Sequence, residues 1–421
     1  MRLHQIFLAV TLIFVSATAY AADPTATKYS AAECQGSYMP YDFDVTPVKA
    51  PDSLEVVMVN HIGRHGSRFL SSSKRIDLLR NTLAEARSMN ALTAAGKRLS
   101  DLADRIYSYT AGRWGALDSL GEAEQTQLAT RMAQTFPGLF KKARVHAISS
   151  WSPRSIMSMY AFVHQLSRLD NNLEVTTSSG RSNSPLMRPF DTDPYYKEYV
   201  DTRAWEDPVK ALSDQLLTTT PLDRIFTKGL IPQDIAAFLD AEFQVVSSTG
   251  ALGWPVALAD YFTPAEYNAL WAIDNLRQYL RYSSSTLTTA TADMAGPLLL
   301  NIITTFDNYL EHPETAVNVM LRFGHAETLM PLAALIHLPG CYYMTNHFDT
   351  VGMHWRNFYV VPMAANIRLV LMRHLKSGEY YLRVDLNELP VPLIPGRSAL
   401  YTPRTVAREY LSRCLPLLLQ P

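Results

Sequence analysis

Two periodicities alternate along the chain. Short, unbroken apolar runs rich in β-branched residues predict buried strands: LEVVMVN (54–60), ARVHAISS (143–150), AVNVMLRF (316–323), IRLVLMRH (367–374) and YYLRVDL (380–386). Between them lie longer stretches with apolar positions at helical spacing, such as KRIDLLRNTLAEARSM (74–89) and GEAEQTQLATRMAQTF (121–136). Continuous apolar strands separated by helices predict an α/β fold, a mainly parallel sheet sandwiched by helices. The last two runs lie close together and suit an antiparallel edge. From 156 to 311 strand-like runs become scarce and helical spacing dominates, as in PAEYNALWAIDNLRQYLRY (264–282) and PLLLNIITTFDNYL (297–310). Pro297 suits a first helical turn, and SSSTLTTATAD (283–293) reads as the loop between those helices. The α/β core is therefore expected from residues 22–155 and 312–421, with 156–311 as a largely helical inserted domain. No Pro/Gly-rich linker isolates the insertion, and no internal repeat is visible.

The opening MRLHQIFLAVTLIFVSATAYAADP breaks this alternation. A basic Arg2, an apolar stretch through Val15 and the small-residue site Ala19-Tyr20-Ala21 predict a secretory signal over residues 1–21. The chain is thus expected to be exported, periplasmic or secreted. No other apolar segment approaches spanning length, so the mature chain is not expected to insert into a membrane. The formal net charge of −1 provides no global field for nucleic acid. Cys34, Cys341 and Cys414 permit one bridge in an oxidising compartment and leave one thiol over. Neither a CxxC pair nor a Cys/His cluster suggests zinc, and no cofactor is called for.

Charge does gather locally, in HIGRHGSRFL (61–70). Arg64, His65 and Arg68 surround Gly66 directly after a buried strand, where a parallel sheet opens its carboxyl edge and ligands usually bind. Guanidinium forks match phosphate oxygens, and neighbouring cations bias an imidazole toward its neutral, nucleophilic form. A solvated basic turn would read the same way from this segment alone. The i,i+4 pair His61 and His65 does not make a zinc helix, because a strand leads into it and Ile62 and Gly63 lie between. Two further segments add weight. After the second predicted strand comes SSWSPRSIMSMYAF (149–162), with Arg154 in the turn; after the third comes RFGHAETLMPL (322–332), with His325 and Glu327. Three strand ends carrying Arg-His, Arg and His-x-Glu would converge on one crevice.

In this order, RHGSR, SPR and HAE resemble the histidine phosphatase superfamily in its acid phosphatase and phytase branch. HAE and RHGSRFL are similar to the multiple inositol polyphosphate phosphatase group within it. Further matches are LDSLGEAEQ (117–125), PLMRPFDTDPYYKEY (185–199), FTPAEYNALWAIDNL (262–276), PMAANIRLVLM (362–372) and LNELPVPLIPG (386–396). Asp193 departs from the pattern, standing where animal relatives are expected to have a cysteine. The resemblance implies hydrolysis of small phosphate esters, phytate or other inositol polyphosphates, with sugar phosphates or nucleotides as the rival substrates. A phosphate-ester-binding ectodomain without turnover is the rival of another class. By the same resemblance His65 would become phosphohistidine. Arg64, Arg68, Arg154 and His325 would hold the phosphoryl group, and Glu327 would protonate the leaving oxygen without help from a metal. Lys74, Arg75, Arg181 and Arg188 are candidate contacts to the other phosphates of such a substrate, Arg188 foremost because it lies in PLMRPFD.

Overall fold

The computed structural model describes residues 28–420 except Lys142, Asn171, 228–231 and 255–259, so the predicted signal segment lies outside the described residues. The sheet is built from β1 (Leu54–Arg64), β2 (Arg144–Ser149), β3 (Glu174–Ser179), β4 (Val319–Gly324), β5 (Asn366–His374), β6 (Tyr380–Leu386), β7 (Leu389–Val391) and β8 (Thr402–Pro403). Its order is β3-β2-β4-β1-β5-β6-β7, with β8 also on β6. The five predicted strands are all present, and helices flank the sheet.

The sheet is mixed. From β3 to β1 every pairing is parallel, while β1 with β5 and everything beyond is antiparallel. The reversal follows from where the chain enters β5. Ala365 accepts the Arg64 amide at 2.7 Å, so the segment before β5 already sits at the carboxyl end of β1 and must run back down beside it. The parallel half carries Arg64, His65, Arg154, His325 and Glu327 at its carboxyl end.

Alternation along the strands feeds two apolar layers. Met58, Ile62, Met320, Leu369 and Leu371 pack against the helices Gly296–Glu311, Ala326–Leu335 and Arg404–Cys414. Val59, Leu321, Phe323 and Val370 face Ser119–Thr135 and Pro153–Leu169. A third apolar cluster lies among Lys74–Ser88, Ala94–Thr110, Ile235–Ala251 and Pro264–Tyr282, forming a helical cap.

The stretch expected as an insertion, 156–311, is shared between sheet and cap. Phe162 and Leu166 cover one face of the sheet, β3 pairs with β2, and Leu298, Ile302 and Phe306 cover the other face. Conversely, Lys74–Thr110, placed in the core by sequence, helps build the cap. Helical periodicity reports which face is buried but not what buries it, hence the difference.

Candidate active site

β2, β4 and β1 are adjacent and parallel, so their carboxyl ends deliver Arg154, His325 and Arg64–His65 to one edge. His65 leaves β1 with its amide on the Gly324 carbonyl at 3.1 Å, joining the first and third motifs through backbone. The loop that follows leans on the helix Ser119–Thr135. A Cβ on Gly66 would come within 2.3 Å of the Gly121 carbonyl oxygen, and one on Gly121 within 2.2 Å of the Ser67 oxygen. Both positions therefore require glycine for close backbone approach. Buried Glu124 secures the loop by accepting from the Ser67 amide at 2.6 Å, the Ser67 hydroxyl at 2.8 Å and the Tyr41 amide at 2.9 Å. Gln125 donates to the Arg64 carbonyl at 3.0 Å.

His65 is buried, and its Nδ1 lies 2.9 Å from the Gly66 carbonyl oxygen. Since a carbonyl can only accept, Nδ1 carries the proton and the Nε2 lone pair is free. Burial, then Arg154, Arg64 and Arg68, hold His65 well below the usual histidine range. It is therefore neutral and able to attack an electrophile.

Arg64 donates to the carbonyls of Ser37 and Val361 at 2.7 and 2.6 Å, while its Nε is buried without a partner. Arg68 and Arg154 likewise keep an unpartnered buried Nε. Burial and mutual repulsion push Arg64 down to about 10 and Arg154 to about 9. Crowded, partly unsatisfied guanidinium groups are what an anionic ligand would relieve.

His325 precedes the helix Ala326–Leu335, its amide donating to the Thr328 hydroxyl at 3.0 Å. Its Nε2 lies 2.9 Å from both Ser150 Oγ and Arg188 Nη1, and its Nδ1 lies 3.3 Å from Arg154 Nη2. The rings of His325 and His65 are 5.5 Å apart. Glu327, half-buried in the first turn, partly offsets the depression of Arg64 and Arg154, and adds to the burial that raises Tyr196 and Tyr282. A carboxyl thus lies near the cations, carried by the helix that follows β4, the strand beside β1.

The four candidate outer cations divide. Arg188 reaches the centre. Arg181 is exposed, 4.7 Å from the Trp151 ring centroid, and Arg75 pairs with Asp240 at 2.7 Å on the cap. Lys74 is exposed at the start of its helix. Asp193 caps the helix Pro194–Thr202 by accepting from the Tyr196 amide at 2.8 Å, which accounts for an acid at that position. Cys34, Cys341 and Cys414 are all unbridged. Sequence reasoning missed Ser150 and Glu124; each lay inside a quoted motif, but nothing in its type announced its contacts. Among the described residues no three His, Cys, Asp or Glu side chains gather as metal ligands. No helix among them is long and apolar enough to cross a membrane.

A neutral histidine with a free lone pair, ringed by arginines at the carboxyl edge of a helix-covered sheet, defines an enzyme centre suited to phosphoryl transfer. The chain belongs to the histidine phosphatase superfamily (branch 2), whose family model matches residues 55–387. It is 26% identical over 386 residues to human (Homo sapiens) multiple inositol polyphosphate phosphatase 1, covering 82% of this chain and 78% of that protein. The Bifidobacterium longum multiple inositol polyphosphate phosphatase, solved with inositol hexasulfate, superposes with a TM-score of 0.77 at 20% identity, covering 92% of this chain and 99% of that one. The phytase from D. castellii superposes at 0.69 and 16% identity, covering 91% and 85%.

Proposed function

We propose that this chain is an exported histidine acid phosphatase acting on phytate or other inositol polyphosphates through a phosphohistidine. The observation that carries the reading is the free Nε2 of His65 among Arg64, Arg68, Arg154 and His325. The substrate class is supported by the named relatives, and export by residues 1–21.

In this mechanism His65 Nε2 attacks phosphorus and the ester P–O bond breaks. Positive charge on the phosphoimidazole is met by the Gly66 carbonyl at Nδ1. Arg64, Arg68, Arg154 and His325 bind the equatorial oxygens, whose charge they stabilise in the transition state. Glu327, protonated, gives its proton to the leaving alkoxide. As carboxylate it then takes a proton from the water that attacks phosphorus, the P–N bond breaks, and inorganic phosphate leaves.

The test is phosphate release from phytate, a sugar phosphate, a nucleotide and p-nitrophenyl phosphate, compared by kcat/KM. Phytate is expected to lead. Equal rates across the four would replace this reading with a broad acid phosphatase, and no release from any would leave a binding protein.

A further inference from the structure

The imidazole of His325 faces a guanidinium at each ring nitrogen. Arg188 lies 2.9 Å from Nε2, and Arg154 lies 3.3 Å from Nδ1. Guanidinium groups offer only N–H, so both nitrogens are addressed as acceptors. Neutral imidazole has one lone pair and one N–H, and burial among four arginines holds His325 neutral. One contact must therefore set N–H against N–H. The shorter contact, at Nε2, is the one that fits a hydrogen bond, which places the ring proton on Nδ1. Ser150 does not oppose this, because its hydroxyl at 2.9 Å can donate to Nε2 or turn away.

Arg188 is firmly held for such a role. Asp191 binds its Nε at 2.5 Å, and the guanidinium lies 4.6 Å from the ring centroids of both Trp151 and Phe190. Its side chain is 14% exposed.

We propose that Arg188 is a positioning residue whose N–H fixes His325 in the Nδ1–H tautomer. Nδ1–H and the neighbouring Arg154 N–H are then two adjacent donors that lack an acceptor until an anionic oxygen joins both. Arg188 thereby acts on the reacting phosphoryl group through His325, whether or not it also touches a remote phosphate. This deepens the phosphatase reading and rests on it for its catalytic consequence, but the tautomer itself is a property of the substrate-free protein.

The experiment is long-range ¹H–¹⁵N correlation on substrate-free, histidine-labelled protein, with the His325 signals assigned by their loss in His325→Asn. Wild type is expected to carry the proton on Nδ1. In Arg188→Met it should move to Nε2 and donate to Ser150. The kcat for p-nitrophenyl phosphate, which has no second phosphate, should fall about 10- to 100-fold, as for loss of a charged hydrogen bond. Arg188→Lys, which keeps a cationic donor and serves if the Met variant does not fold, should restore part of both. An Nε2–H tautomer in wild type, or an unchanged tautomer in Arg188→Met, overturns the proposal. A raised KM for phytate with kcat untouched on both substrates would make Arg188 a substrate contact only. If the tautomer shifts as expected while wild type hydrolyses no ester, the phosphatase reading fails and the tautomer assignment stands.

Discussion

His65 and Gly66 form a contact between chain neighbours that settles where one proton sits. The ring Nδ1 is 2.9 Å from the glycine carbonyl, so the opposite nitrogen keeps its lone pair. His65→Ala removes that lone pair while leaving Arg64, Arg68 and Arg154 in place. Turnover should drop by about 10⁴–10⁶-fold, the scale seen when a nucleophile is deleted. Inorganic phosphate should still bind, read by its effect on thermal unfolding. A folded variant with near-normal turnover removes His65 from the chemistry.

Glu327→Gln should slow phytate far more than p-nitrophenyl phosphate. An inositol alkoxide is strongly basic and leaves only with a proton, whereas nitrophenolate is stable without one. Loss of general acid catalysis is worth about 10²–10⁴-fold on the alkyl ester alone. The measurement is the ratio of the two kcat values, with phosphoryl transfer shown to limit each. A ratio unchanged from wild type means that Glu327 only braces the arginines.

His61 gives a pH dependence that belongs to the fold and not to catalysis. It is fully buried against Phe162 and Phe323, its Nε2 has no partner, and burial with Arg368 and Arg322 holds it well below 6.5. Below pH 6.5 the unfolded chain binds a proton that the folded chain refuses, so this group's contribution to stability falls as pH falls. Measured against non-titrating His61→Asn by denaturant unfolding, wild type should lose about 1.4 kcal/mol per pH unit below 6.5. A stability difference that is flat from pH 7 to 5 contradicts the assignment.

Gly66→Ala should damage both fold and activity, because its methyl group would meet the backbone of Gly121 rather than a side chain that can turn aside. Overpacking of this kind costs about 1–3 kcal/mol. The expected outcome is a lowered Tm together with a lowered kcat, since the same loop carries His65 and Arg68. Gly138→Ala, where a Cβ meets nothing within 4 Å, is the control and should leave both unchanged. Equal behaviour of the two variants would show that the loop and helix are not in the contact described.

The parts that were readable in sequence are those in which burial forces a pattern. β1, β4 and β5 are buried on both faces over most of their length and stand out as mostly apolar runs. β3 was invisible because EVTTSS is an edge strand with most positions exposed, so its two partly buried residues give no run to see. The orientation of β5 was hidden too: strand periodicity says nothing about the neighbour or its direction. At the site, residue type and position after a strand were enough to single out Arg64, His65, Arg154 and His325 as a converging group. Ser150 and Glu124 were not legible, since a serine or glutamate becomes informative only when its acceptors and donors are placed in space. Arg75 shows the converse, a cation that sequence offered to the substrate and that the fold pairs with Asp240.

The strand order also sets a timetable for assembly. β1 is the first strand made, yet both of its hydrogen-bonded neighbours, β4 and β5, lie beyond residue 318. β1 and β2 are separated in the sheet by β4, so neither can complete its pairing while that strand is missing. A nascent chain ending before Val319 would hold three unpaired strand edges, both of β1 and one of β2, the kind of surface that templates aggregation. Such non-local closure is slow, because a long loop must be ordered before the contacts that reward it can form. Insertion of β4 brings in His325 and Glu327 in the same movement, so the proposed catalytic cluster is completed only when the sheet is joined across its middle.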